Sequence, residues 1–299
     1  MTDPRLCRHP LGFLQLCNPP SQEELSNYYA QIYYQTEKGS YRRSYPPLEL
    51  QVIGLRIEKL VQQALSLRQS NRSGRFLDVG CGEGFLLSAL SNMGWEVSGI
   101  DFSIAGVQSM NPQMVMNVSQ GDVFELLDDR IITGKTYDLV WLGNVLEHVL
   151  EPIELLQSLR RIVSDDGVLV VVVPNDGNAY QESLFEEGLI DKRWWIAVPD
   201  HISYFTKESL INVAQATGWL CPQVQGDFPI DLFLSHPGSN YVNDPSKGAD
   251  AHKARLRLEK LISRAGNEAV NHLYSALADV GLGRNLIAFL KPNQNGKLS

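Results

Sequence analysis

Phe76-Leu77-Asp78-Val79-Gly80-Cys81-Gly82-Glu83-Gly84 reads as an apolar strand running into three glycines at alternate positions. Residues 85–93 then take up a helical period, so the unit is strand, tight turn, helix. Glycine is needed where the backbone turns with positive φ, or where a ligand packs with no room for a Cβ. A turn of this kind at the carboxyl end of a first strand lies where open α/β sheets bind ligands. A dinucleotide fingerprint is G-x-G-x-x-G and holds a pyrophosphate on the helix N-terminus. This chain has G-x-G-x-G, preceded by Asp78 at the strand end. An acid there repels a pyrophosphate and suits an ammonium group, met directly or through water.

Around that turn, short apolar runs alternate with helical patterns, the mark of a parallel sheet with helices on both faces. Strands are predicted over residues 75–79, 95–100, 115–120, 137–142 and 168–173. A helix over 152–163 opens on Pro152, and Asp165-Asp166-Gly167 reads as the turn beyond it. Thr206 caps a helix over 207–216 that Gly218 stops, and residues 220–225 and 285–291 supply two last strands. The stretch between those two, 226–284, is too long for a hairpin turn and has a helical period over 249–277, which predicts a helical insertion. Upstream, Ser21 and Glu24 form a capping box for a helix carrying Tyr28, Tyr29, Tyr33 and Tyr34 about once per turn. A second helix over 48–67 leads into the sheet. The chain thus divides into an N-terminal helical, aromatic segment (1–47), a core (48–225), the insertion (226–284), and a last core strand with its tail (285–299).

Two more acids end strands. Asp101 follows the second, where a carboxylate accepts the hydroxyls of an adenosine ribose. Asp122 follows the third, where it can accept from the exocyclic amine of adenine while Val123 lends its amide. Asp78, Asp101 and Asp122 converge on one crevice.

Composition narrows the class. With 299 residues, 43% hydrophobic and 20% charged, the chain buries a sizeable core without disulfides or metal. A net charge of −8 argues against nucleic acid, which needs clustered Lys and Arg. The longest purely apolar run, residues 168–173, is far too short to span a bilayer, and the start of the chain has no apolar leader-like run. Cys7, Cys17, Cys81 and Cys221 show no framework spacing and read as reduced thiols of a cytoplasmic protein. Cys7, His9 and Cys17 lack the CxxC pair and the fourth partner of a zinc site. No carboxylate dyad follows the fourth strand, so no catalytic magnesium or calcium is expected.

Residues 77–84, Gly99-Ile100-Asp101, Gln120-Gly121-Asp122, and Tyr137-Asp138-Leu139-Val140 with Val145-Leu146-Glu147-His148-Val149 resemble class I S-adenosylmethionine-dependent methyltransferases over about residues 75–220. The resemblance implies a Rossmann-like, doubly wound seven-stranded sheet of order 3-2-1-4-5-7-6 with an antiparallel seventh strand. It implies S-adenosylmethionine as cofactor, contacted by Asp78, Gly80, Gly82, Gly84, Asp101, Phe102, Asp122 and Val123, with Asn144 near its methionine end. Pro199-Asp200-His201-Ile202-Ser203-Tyr204-Phe205-Thr206 and the tyrosine-rich start are similar to segments of bacterial sugar and small-molecule methyltransferases. This implies a small-molecule acceptor, with a sugar or surface-polysaccharide precursor as the finer expectation. Many of those enzymes begin with a cysteine-rich zinc module, whose CxxC pairs this chain lacks.

Methyl transfer from a sulfonium is an in-line displacement, so the protein aligns two partners and removes a proton where the acceptor needs it. The candidate bases are His201, Asp200 and His148. His148 sits in a turn that packs under the cofactor in similar enzymes. His201 is better placed, on a loop after the fifth strand, and Asp200, facing the other way, would orient the acceptor. Trp194-Trp195 and the aromatic N-terminal helix either wall the acceptor pocket or simply pack. Two other readings use the same sheet. One is a nicotinamide-dependent oxidoreductase, opposed by Asp78 and by a third glycine one position early. The other is a methyltransferase-like module that binds the cofactor without turning it over.

Overall fold

The computed structural model describes residues 3–28, 44–70 and 72–294; Tyr29, Tyr33 and Tyr34 of the expected aromatic helix lie outside the described residues. The chain opens with a hairpin, β1 (Leu6–Arg8) and β2 (Leu14–Leu16), in which Cys7 stands opposite Gln15. That ladder brings Cys17 beside Cys7, and the two form a disulfide across a separation of 10 residues. The expectation of four reduced thiols is therefore corrected, with Cys81 and Cys221 the free ones. Spacing alone did not reveal the pair because three-residue strands leave almost no alternation to read. α1 (Gln22–Tyr28) starts on the expected capping box, with the Ser21 N–H donating to Glu24 at 2.7 Å and the Glu24 N–H to Ser21 Oγ at 3.2 Å. α2 (Pro47–Ser66) follows and buries Val52, Leu60, Val61 and Ala64.

The main sheet takes β3 (Arg75–Val79), β4 (Glu96–Asp101), β5 (Val118–Gln120), β6 (Tyr137–Gly143) and β7 (Val163–Pro174) in parallel. β8 (Ser203–Tyr204) belongs elsewhere; β9 (Trp219–Gly226) and β10 (Asn285–Pro292) complete the sheet. Its order is β5-β4-β3-β6-β7-β10-β9, with β10 antiparallel to both neighbours. Numbered among themselves, these strands run 3-2-1-4-5-7-6, the expected topology. Connections are α3 (Phe85–Asn92), α4 (Ala105–Met110), α5 (Val123–Ile132), α6 (Pro152–Ile162), α7 (Ala179–Glu186) and α8 (Lys207–Ala216).

Side chains alternate between the sheet's faces. Leu77, Val140, Leu169, Val171 and Val173 join a core with Leu127 of α5, Leu155 and Leu159 of α6 and Leu210 of α8. Phe76, Leu139, Trp141, Val168 and Val170 join a second with Leu60 and Val61 of α2 and Leu87 and Leu90 of α3. The unbroken apolar run of β7 follows from burial on both faces.

Two boundaries differ from expectation. β5 is short because Pro112–Asn117 closes into a 3-10 turn. β7 begins at Val163, before the acids read as a turn: Tyr137 pairs with Val163 and Leu139 with Val168, so residues 164–167 bulge from the ladder. Asp166 is anchored there, accepting from the Gln69 and Ser70 N–H groups and from Lys291 at 2.9–3.0 Å.

β1, β2 and β8 form a second, three-stranded sheet that the sequence reading did not anticipate. The insertion divides in two. α9 (Gly248–Ile262) packs on α2 and α10 (Asn267–Asp279) on β9. Its leading part, with a 3-10 turn over Ile230–Ser235, meets α7 and the hairpin in a third core of Leu16, Leu184, Ile190, Trp195, Ile196, Tyr204 and Leu234. Trp195 is 3% exposed, so that tryptophan is packing. No helix among the described residues is long and apolar enough to cross a membrane.

Candidate active site

The glycine turn after β3 is left-handed at all three positions, with φ of +76° at Gly80, +53° at Gly82 and +73° at Gly84. A Cβ on Gly80 would also stand 2.3 Å from Val145 Cγ2, so this glycine admits the turn after β6. The Gly82 N–H donates to Asp101 Oδ2 at 2.8 Å and the Ser103 N–H to Asp101 Oδ1 at 2.9 Å. Those bonds lock the Asp101 carboxylate between two strand-end turns. Asp78 is 3% exposed, and no donor among the described residues bonds its carboxyl. Burial first, and the Asp101 charge second, push Asp78 up to about 8. A buried carboxyl with no bonded donor among the described residues, set beside a second acid, fits a positively charged ligand such as an amino-acid ammonium.

Asp122 caps α5, its Oδ1 accepting from the Phe124 and Glu125 N–H groups at 2.8 and 3.3 Å, and Val123 is the first residue of that helix. Phe102, just after β4, is 36% exposed. Asn144, just after β6, is exposed and is, among the described residues, the non-glycine residue held at positive φ, +53°, with its N–H on the Val172 carbonyl at 2.9 Å. Strained backbone of this kind concentrates at functional sites. Asp78, Gly80, Gly82, Gly84, Asp101, Phe102, Asp122, Val123 and Asn144 therefore all lie at the carboxyl ends of the adjacent strands β3, β4, β5 and β6. Sequence reasoning missed Tyr45, whose hydroxyl donates to Glu83 at 2.7 Å and whose ring meets Phe85 edge-on.

The candidate bases gather at the carboxyl ends of β6 and β7. His148 and His201 lie edge to face, ring centroids 5.0 Å apart, each side chain 15% exposed. His148 Nδ1 donates to the Asp200 carbonyl at 2.7 Å and lies 3.3 Å from its carboxylate. Glu147 is 1% exposed, with no hydrogen bond from the described residues to either carboxylate oxygen, and its Oε1 lies 3.5 Å from His148 Nε2. Burial disfavours a charged ring, but Glu147 and Asp200 outweigh it and raise His148 to about 9. Ligand-type atoms of Glu147, His148 and His201 lie within 4.8 Å of one another. A ring raised in this way pairs with the carboxylates that flank it. The His148–Asp200 contacts tie the histidine loop to the β6 turn, helped by the Glu147 carbonyl accepting from the Ile202 and Ser203 N–H groups.

Asp200 faces His148, and its Oδ2 is 4.0 Å from His201 Nε2, so it touches both rings' surroundings rather than turning away. His201 Nδ1 meets Asp176 Oδ2 at 3.0 Å, and Asp176 Oδ1 accepts from Arg284. Asp176 and Arg284 were not singled out from sequence: one follows β7, the other precedes β10, and only the fold joins them.

A family model described as a methyltransferase domain matches residues 51–223 of this chain. The ubiquinone biosynthesis O-methyltransferase of Histophilus somni is 31% identical over 120 residues, covering 38% of this chain and 49% of that protein. Its counterpart from Haemophilus ducreyi is 32% identical over 117 residues, covering 36% and 50%. The chain thus spans about half the length of the curated relatives it matches. In structure, a SAM dependent methyltransferase from Archaeoglobus fulgidus aligns over 88% of this chain and 99% of its own, with a TM-score of 0.52 at 19% identity, a likeness of fold.

Proposed function

The chain belongs to the methyltransferase-domain family, and from that premise we propose that it binds S-adenosylmethionine at the β3–β6 edge and methylates an oxygen of a small-molecule acceptor. The observation that carries the reading is Asp78, a buried acid set beside Asp101 and itself bonded at its carboxyl by no donor among the described residues. Asp78 would hold the ammonium, Asp101 the ribose hydroxyls, and Asp122 with Val123 the adenine edge, while Asn144 would border the methionine end. S-adenosylmethionine, when bound, supplies an electrophilic methyl carbon on a sulfonium whose departure leaves a neutral thioether.

The protein's own share is alignment and one proton. His201 Nδ1 faces a carboxylate, so its Nε2 carries the lone pair and takes the acceptor's hydroxyl proton as the oxygen–carbon bond forms. Asp200, 25% exposed and beside that nitrogen, is available to orient the acceptor. Oxygen is favoured because the relatives reported above are named O-methyltransferases; those names give no support to the finer expectation of a sugar or polysaccharide precursor. The family match sets the nicotinamide reading aside. A module that binds without turnover is the remaining competitor. It is favoured by no observation, and methyl transfer by the wild-type protein separates the two.

The test is His201→Ala, assayed by single-turnover methyl transfer from S-adenosylmethionine into a lysate small-molecule fraction and by cofactor binding. Loss of a general base costs about 10²–10⁴-fold in rate, with cofactor affinity unchanged because the adenosine contacts lie on other strands. A fall of less than about tenfold means alignment alone drives the reaction.

A further inference from the structure

The residues that hold His201 form an arrangement that the proposed reaction does not itself require. Asp176 is almost fully enclosed, its side chain 1% exposed, and its two oxygens are divided between partners. Oδ2 faces His201 Nδ1 at 3.0 Å and Oδ1 takes the Arg284 guanidinium. The turn carrying Asp176 is tied from several sides. The Asn175 N–H donates to the Arg284 carbonyl at 3.0 Å, and its side chain donates to the Gly281 and Gly283 carbonyls, each at 3.1 Å. The Gly177 N–H is taken by Gln181 at 2.7 Å, and Asn178 caps α7. The segment before β10 is equally fixed, since Gly226 and Gly283 approach so closely that a Cβ on Gly283 would stand 2.7 Å from Gly226 Cα. His201 is held on its own side by its N–H on the Ala197 carbonyl at 2.7 Å and by the Tyr204 hydroxyl on its carbonyl at 2.9 Å.

We infer that Asp176 and Arg284 are positioning residues: the carboxylate, fixed by the guanidinium, holds the His201 ring with its proton on Nδ1 and its lone pair on Nε2. Burial alone would raise Asp176, but Arg284 and His201 outweigh it and bring it below the usual carboxylate range, so it faces the ring as an acceptor. An acceptor-only partner obliges Nδ1 to be the donor. A buried acid that fixes a histidine's tautomer is the logic by which such dyads act elsewhere. Here the third member, Arg284, arrives from the end of the insertion, 108 residues after Asp176. The inference builds on the reading of His201 as the base, and its primary readout needs no acceptor.

The experiment is a two-bond proton–nitrogen correlation on the full chain labelled with ¹⁵N-histidine, the His201 signals assigned with His201→Gln. The expected wild-type spectrum shows the neutral ring protonated on Nδ1. In Asp176→Asn, Arg284 keeps the amide oxygen and the amide N–H₂ turns to the ring, so the proton moves to Nε2. Arg284→Lys keeps the cation and should keep the Nδ1 tautomer. Methyl transfer should fall by about 10²–10⁴-fold in Asp176→Asn, with S-adenosylhomocysteine affinity within about twofold of wild type. A wild-type ring protonated on Nε2, or a tautomer unmoved by Asp176→Asn, overturns the inference whatever the activity. A tautomer that switches without a loss of transfer upholds the positioning role and removes His201 from the base role. Should Asp176→Asn not fold, the wild-type spectrum with Arg284→Lys still decides.

Discussion

Asp78 and Asp101 meet at the ends of β3 and β4, and their mutual charge has a measurable consequence. Burial, and after it the Asp101 charge, oppose the ionisation of Asp78 and push it up to about 8. Pairing with an ammonium requires the carboxylate, so binding should expel a proton at neutral pH. Affinity for S-adenosylmethionine is then expected to rise with pH up to about 8 and to fall below it, by at most about tenfold per pH unit for one linked proton. A titration in buffers of different ionisation enthalpy reads the proton directly, and a pH-independent affinity would remove Asp78 from the ammonium role. In the same titration Asp101→Ala should weaken binding by about 1.5–3 kcal/mol, the usual worth of hydrogen bonds to a charged group. Both acids were legible in the sequence because each ends an apolar run next to glycine, a local signal. Asp176 and Arg284 were not, because their meaning is a contact between segments 108 residues apart. Nor was the role of His148: the anchoring carboxylates Glu147 and Asp200 come together only when the β6 turn and the histidine loop are packed.

At the scale of elements, the long periodic pieces followed their pattern and the short ones did not. α8 runs over the expected residues, Lys207–Ala216, because Thr206 and Ser209 close a capping box and Leu210, Val213 and Ala214 face the core. β1, β2 and β8, of three, three and two residues, carry too little alternation to be read, yet they pin the loop that bears His201. The Leu16 N–H donates to the Ile202 carbonyl at 2.9 Å, one residue from that histidine. The Cys7–Cys17 bond therefore closes a hairpin that pairs with the loop bearing His201. Cys7→Ser with Cys17→Ser, or reduction, should cost about 2–3 kcal/mol, the scale for closing a short loop. Denaturant unfolding checks this, with cofactor affinity unchanged. A variant as stable as wild type would show that strand pairing alone holds the hairpin, and a loss of cofactor affinity would mean that the small sheet reaches the β3–β6 edge.

For the molecule as a whole, one sheet edge supports two half-sites. The β3–β5 side carries the acids proposed to hold a cationic nucleoside, and the β6–β7 side carries the histidines, beside a third core where the hairpin, α7 and the insertion meet. The sheet order was legible through resemblance and is borne out strand by strand, whereas the third core was only outlined, since its pieces are irregular. The arrangement has a definite function if an acceptor entering beside that core meets the methyl donor lying along the edge. The measurement that tests this most directly is an incubation of the protein with methyl-¹³C-labelled S-adenosylmethionine and a lysate small-molecule fraction, followed by carbon NMR of the products. One new methoxy resonance is expected, appearing in step with S-adenosylhomocysteine and absent with His201→Ala. Label on nitrogen or on carbon, or tight cofactor binding with no labelled product from any fraction, would contradict it.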